Sequence, residues 1–256
     1  MTNKNVNVYS VKGDVVGKAE LPSQFKTSYR PDVIRKAVIA EESNKRQPYG
    51  SKPGAGMRHA VSTWGKGRGA ARVQRLSQGA KGAESPNNVG GRRAFPPMVE
   101  KSWELKVNRK ERTLARWSAL AALSDNDMVK KRGHRFNEEV TLPVVFEDSV
   151  EKLETTADVL KALESVGLQD DVTRAKDSKK VRPGKGKMRG RRYKSCRSLL
   201  IVVSNKEAPI FKGAKNLAGV EIMAPDQLNP GTLAPGGDAG RLAVFSQAAL
   251  KMIGEW

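Results

Sequence analysis

A chain of 256 residues with 38% hydrophobic side chains can bury a core, but that share is below the usual globular level, so part of the chain is expected to stay outside it. Its 47 basic side chains against 27 acidic ones, a net charge of +20, call for a polyanionic partner. A single cysteine, Cys196, excludes an internal disulfide, and two separated histidines, His59 and His134, do not make a metal set; the N-terminus MTNKNVNVYS has no leader-like apolar run and no stretch reaches ~18 apolar residues, so a cytoplasmic protein is expected.

Val6, Val8 and Ser10 alternate with Asn7, Tyr9 and Val11 before the turn Lys12-Gly13-Asp14, which predicts a short strand from Val6 to Val11. Pro31 opens a helix expected to reach Glu42, with Ile34, Ala37, Val38 and Glu41 on neighbouring turns and the apolar members inward. From Asn44 to Pro97 neither period persists: ten glycines interrupt the stretch and its only leucine is Leu76. So long a loop belongs in a compact domain only when it is functional or ordered by a partner. Run out and back, its tip could stand at most ~85 Å from its base, which makes it an arm rather than a lid.

Asn108 is a good N-cap for a helix to about Leu123, with Leu114, Trp117 and Ala121 as its inward stripe. Leu142 to Phe146 reads as a strand. Ser149 or Thr155 caps a helix that ends near Gly167, with Val159, Leu160 and Leu163 inward. Leu199–Val203, Val220–Met223 and Leu242–Phe245 are short apolar runs, the last leading into a helix from Ser246 to Met252. Apolar runs that do not alternate fit strands buried on both faces, so the fold class is α/β, a mainly parallel sheet flanked by helices.

The excess charge is segregated. Residues 45–97 carry eleven basic side chains against Glu84, and residues 179–197 carry ten with no acid; the remaining 26 basic and 26 acidic side chains balance. Two basic, Gly-rich segments on a neutral body suit a chain threaded among phosphates. Glycine lets the backbone approach RNA and take positive φ, and the arginine fork grips phosphate or stacks on a base. The candidate contacts are Lys45, Arg46, Arg58, Trp64, Lys66, Arg68, Arg72, Arg75, Arg92 and Arg93 in the first segment. In the second, spanning 176–198 with its flanks, they are Arg182, Lys185, Lys187, Arg189, Arg191 and Arg192. Trp64, Tyr49 and Tyr193 are candidate stacking partners, with packing against their own domain as the alternative.

Other chemistry is poorly supported. Gly65-Lys-Gly-Arg-Gly69 and Gly184-Lys-Gly-Lys-Met-Arg-Gly190 match neither a Walker loop nor a dinucleotide fingerprint, since Gly184 and Gly186 lack the third glycine. Cys196 has no His or Asp at a nucleophile's spacing. Glu147-Asp148 and Asp170-Asp171 fall at helix starts, where capping and solvation are expected, and Asp238 lies in a Gly-rich turn read as structural. No cofactor and no metal is expected.

The strings Asn44-Lys-Arg-Gln-Pro-Tyr49, Ser62-Thr-Trp-Gly-Lys-Gly-Arg68 with Ala71-Arg72, Gly90-Gly-Arg-Arg-Ala-Phe95-Pro96, Arg182-Pro-Gly-Lys-Gly-Lys-Met-Arg189 with Arg191-Arg192, and Leu233-Ala-Pro-Gly-Gly237 with Gly240-Arg241 run in one order along the chain. Together they resemble the universal ribosomal protein four family of the large subunit, in its archaeal and eukaryotic branch, and the C-terminus at Trp256 is similar to the archaeal form. The resemblance implies one three-layer α/β domain over 1–256 and a loop, 44–97, that penetrates ribosomal RNA and helps line the peptide exit tunnel. Expected partners are large-subunit ribosomal RNA, neighbouring large-subunit proteins and the nascent peptide near the loop tip, with no membrane and no homo-oligomer. A role in early assembly is also implied, and no enzymatic activity. Two rivals remain from the residues alone: an RNA-modifying enzyme, which needs a pocket of convergent polar groups in the body, and an architectural DNA binder, which would favour ordinary duplex DNA.

Overall fold

The computed structural model describes residues 5–256; Met1 to Lys4, the first part of the N-terminal stretch read for a leader, lie outside the described residues. Two compact units form: one from the residues up to Glu42 together with Lys106–Trp256, the other Ser43–Leu105.

The first unit is built on six strands: β1 (Asn5–Tyr9), β2 (Val15–Glu20), β3 (Val144–Phe146), β4 (Leu200–Val202), β5 (Glu221–Met223) and β6 (Ala243–Ser246). Their order across the sheet is β2-β1-β3-β6-β4-β5. Every pairing is parallel except the β1–β2 hairpin at one edge. The expected strand from Val6 is thus present but ends at Tyr9, and β2 is an addition to the expected elements. Its residues are almost all exposed, with Val15 and Val16 facing solvent; an edge strand held by backbone bonds needs no apolar period.

The central strands are buried on both faces, and successive residues serve opposite layers. Val144, Phe146, Ile201 and Val244 enter one core with Val159, Leu163 and Leu168. Val145, Leu200, Val202, Ala243 and Phe245 enter the other with Ile34, Leu120 and Leu250. Three layers follow. One face is covered by α4 (Thr156–Ser165), α5 (Gln169–Asp177) and α6 (Ile210–Ala214), the other by α1 (Pro31–Asn44), α2 (Arg109–Leu123) and α8 (Gln247–Gly254). Two short helices, α3 (Asn126–Arg132) and α7 (Pro230–Leu233), complete the unit.

Local chemistry sets the helix ends. Thr155, not Ser149, caps α4: its Oγ1 accepts from the Asp158 N–H at 3.2 Å. Gly167, at φ +77°, follows its end. Ser246 caps α8 by accepting from the Ala249 N–H at 3.1 Å. The inward stripe expected for α2 is corrected by one position. Leu114, Trp117 and Ala121 are only half-buried, and the buried face is Ala115, Ser118, Ala119, Leu120, Ala122 and Leu123. Small residues let α2 lie close to its neighbours, and the bulkier indole is left at the margin.

The second unit has no core of this kind, since no residue from Asn44 to Asn108 is buried. Its regular structure is one two-residue ladder, Val61–Ser62 against Arg75–Leu76, and one isolated antiparallel bridge, Arg75 to Gly82, where an element-free segment was expected. Turns do the rest. Gly65, Gly67 and Gly69 all take positive φ (+74°, +81° and +60°) with open space where a Cβ would stand, so backbone conformation rather than crowding selects glycine there. Gly91 is the opposite case, because a Cβ would sit 2.0 Å from the Ser85 carbonyl oxygen.

Candidate nucleic-acid interface

Of the candidate contacts, Trp64, Arg75 and Arg182 are half-buried and the others are exposed. Around Trp64 the first segment makes a cation–aromatic cluster: the Arg75 guanidinium lies 4.7 Å and that of Arg68 5.8 Å from the ring centroid. Arg75 also donates to the carbonyls of Ala80 (2.5 Å) and Ala71 (3.2 Å), so it braces the turn that presents Lys66, Arg68 and Arg72. Near the base of the same segment Tyr49 stacks on Trp103 at 5.6 Å and 17° between planes. The Arg46 guanidinium and the Lys101 ammonium lie 5.1 and 4.5 Å from the Trp103 ring. Trp103 is a participant the sequence reading did not single out. Only its closeness to Arg46 and Tyr49 in the folded unit marks it.

The second segment is a ribbon. Lys180–Val181 pairs with Tyr193–Lys194, and a 3-10 turn over Lys185–Met188 closes the end. Arg182 bonds across it to the Arg192 and Arg191 carbonyls, while Lys185, Lys187, Arg189, Arg191 and Arg192 are exposed. Tyr193 is exposed as well, with Lys179 and Arg192 at 5.1 and 5.7 Å from its ring. Of the two roles left open for it, this placement favours stacking.

The feet of the ribbon are anchored in a buried polar network, which corrects the reading of Asp171 as a solvated capping residue. Asp171 is fully buried. Its Oδ2 accepts from Ser198 Oγ at 2.8 Å and meets His134 Nδ1 at 3.0 Å. Its Oδ1 accepts from Arg174 Nε at 2.9 Å and the Arg135 N–H at 3.0 Å. Burial pushes this carboxyl up, but hydrogen bonds from His134 and Arg174 outweigh it and hold the group at about 2. Arg174 continues to the Arg197 carbonyl at 3.0 Å, and the Cys196 N–H donates to Ser178 Oγ at 2.9 Å. Glu221 bridges the exposed Arg197 and the fully buried Arg241. Arg241 also donates to the carbonyls of Ser198, Leu199 and Thr232; burial lowers its pKa, opposed by Glu221. The other acids read as structural fit that role: Asp148 accepts from the Ala248 N–H at the start of α8 (2.8 Å), and Asp238 pairs with Arg35 at 3.1 Å.

The His134, Asp171 and Ser198 set contains the residue types of a nucleophilic triad but not its wiring. Ser198 donates to the carboxylate rather than to the imidazole, and it is fully buried, so no activated hydroxyl faces solvent. Among the described residues no group of three His, Cys, Asp or Glu could hold a metal, and no helix is long and apolar enough to cross a membrane.

The geometry is that of a scaffold presenting cations. Residues 19–256 match the model of the ribosomal protein L4/L1 family. Large ribosomal subunit protein uL4 of Methanoregula boonei is 48% identical over 243 residues, 95% of this chain and 96% of that protein. The protein of the same name from Methanocaldococcus jannaschii is 47% identical over 97% of each chain, and that of Thermoplasma acidophilum 42% identical over 99% of this chain and 98% of its own. At this identity over nearly its whole length, the chain belongs to the ribosomal protein L4/L1 family.

Proposed function

We propose that this chain is a non-enzymatic structural constituent of the large ribosomal subunit, acting in the cytoplasm as a single copy that holds large-subunit ribosomal RNA and neighbouring large-subunit proteins. Residues 44–97 act as an RNA-penetrating arm of one α/β body, and 176–198 as a second RNA clamp. One observation carries the reading: both cation-rich segments are exposed and lack a core of their own, so what they offer to a partner is charge, backbone donors and aromatic faces. Arg58, Lys66, Arg68 and Arg72 contact phosphate or unpaired bases along the arm, with Lys45, Arg46, Arg92 and Arg93 at its base. Lys185, Lys187, Arg189, Arg191 and Arg192 grip a second RNA helix, braced by Arg182. The part of the arm around Gly65 to Arg75 borders the peptide exit tunnel and meets the nascent peptide, and RNA binding by the body supports early assembly.

The test is sedimentation of a tagged copy from its host through a high-salt gradient, alongside a variant lacking residues 62–82. The full chain is expected to travel with the large subunit and resist the salt. A full chain that stays at the top of the gradient would refute this function. With the full chain in the subunit, the variant separates an arm required for assembly from one that only shapes the tunnel wall.

A further inference from the structure

Although the residues outside the two basic segments balance in charge, the fold does not spread that balance evenly. Arg109, Arg112 and Arg116 stand at i, i+3 and i+7 along α2, and all three line one cavity of about 630 Å³ together with Trp117, Asp226 and the C-terminal Trp256. Arg116 lies over the Trp256 ring, 5.0 Å from its centroid. The one acidic side chain in the lining, Asp226, is paired with Lys206 at 3.7 Å. None of the three guanidinium groups has a carboxylate partner among the ion pairs of the described residues.

A second cavity differs in part: there Arg35, Arg174 and Arg197 are each held by a carboxylate, Asp238, Asp171 and Glu221 respectively, and Arg132 by the carbonyls of Pro235 and Ala239, which leaves Lys131 as the lining cation with no such bond. In the α2 cavity the cations instead oppose one another: burial lowers the pKa of Arg116, and the Arg112 charge lowers it further. Like charges gathered with no ion-pair partner of their own are relieved by an external anion. The Trp117 side chain also lines this cavity, although its Nε1 is itself buried without an acceptor among the described residues.

We propose that the cleft formed by α2, the Asp226–Pro230 segment and Trp256 is a third RNA site, which takes a short run of phosphates along Arg109, Arg112 and Arg116 and an unpaired base against Trp256. The inference rests on the ribosomal RNA-binding reading above and adds a contact outside both basic segments. Seven residues of helix advance about 10 Å, enough for about three phosphates of one strand. The volume is in the range of small-molecule pockets and fits a base with its sugar. An acidic peptide would meet the charge but leave the indole without a planar partner, whereas a guanidinium beside an indole is a platform that an unstacked base completes.

The experiment is filter binding of the full chain to a transcript of its own large-subunit ribosomal RNA across a salt series, with chemical footprinting of the complex. For Arg109→Gln/Arg112→Gln/Arg116→Gln the slope of log affinity against log salt is expected to fall by about 2 to 3, at about 0.7 to 0.9 per phosphate, and one protected tract to disappear while the rest persist. Trp256→Leu, which keeps apolar bulk but no aromatic face, should expose a base in that same tract and leave the slope unchanged. Circular dichroism and melting should match the wild type for both. An unchanged slope and footprint in the triple variant would overturn the third site, as would an equal loss in the control Lys161→Gln/Lys212→Gln/Lys251→Gln. Two patterns separate this failure from that of the underlying reading. If the wild type binds and Arg189→Gln/Arg191→Gln/Arg192→Gln weakens it while the α2 variant does not, only the third site falls. If the wild type does not bind the transcript, both fall.

Discussion

Asp171→Asn should destabilise the body by about 2 to 4 kcal/mol at neutral pH. The side chain is almost isosteric, so packing is kept and the change is electrostatic. In the native chain the two carboxylate oxygens receive Ser198 Oγ, Arg174 Nε and the Arg135 N–H, and meet His134 Nδ1, at 2.8 to 3.0 Å. An amide keeps at most one oxygen for these partners, and its NH2 then faces groups that were donating. Breaking a buried ion pair from one side costs about 3–5 kcal/mol; adjustment of the His134 tautomer and the Ser198 hydroxyl recovers part of that. The depressed pKa, which has its origin in the same hydrogen bonds, points to a similar magnitude. The carboxyl is held at about 2 against an ordinary 3.8, which corresponds to about 2 kcal/mol of folding stability. Because the folded pKa is depressed, this contribution is present above about pH 4 and is lost as pH falls through 2. Urea unfolding of the full chain, followed by near-UV circular dichroism at pH 7, 4 and 2, should show a gap between wild type and variant that narrows only at the lowest pH. A variant within 0.5 kcal/mol of wild type, or a gap independent of pH, would refute the assignment of Asp171 as an ionised anchor.

Two further outcomes can be checked. Ser246→Ala removes the N-cap of α8, whose hydroxyl bonds the Ala249 N–H in a fully buried setting; a loss of about 1 kcal/mol and a fall in Tm of about 2–4 °C are expected in calorimetry, and an unchanged melt would show that the cap carries no stability. Amide exchange on the free chain should be unprotected across 45–97, since no residue there is buried and the regular pairing is one two-residue ladder and one isolated bridge; slow exchange through that range would contradict a segment that awaits its partner.

Much of this molecule is determined by local sequence. Leu199–Val203 and Leu242–Phe245 must be strands covered on both faces because consecutive apolar residues in an extended chain point in opposite directions, and the structure assigns Ile201 and Leu200 to opposite cores. Thr155, Gly167 and Ser246 mark helix ends because a hydroxyl or a missing Cβ acts on backbone groups only a few residues away. The segregated charge of 45–97 and 179–197 is likewise a property of the chain itself.

What tertiary structure decided depends on groups far apart in sequence. β2 is a strand only because β1 offers it a backbone edge. The inner face of α2 is set by how closely Ala115, Ala119 and Ala122 let it approach its neighbours, which displaces Trp117 to the margin. Asp170 and Asp171 are indistinguishable in the sequence, yet one is exposed and the other is fully buried among His134, Arg174 and Ser198. A charge sum over the body comes out neutral, but Coulomb energy falls with distance, and only the fold brings Arg109, Arg112 and Arg116 to one cavity with Trp256 while pairing Asp226 in its lining with Lys206.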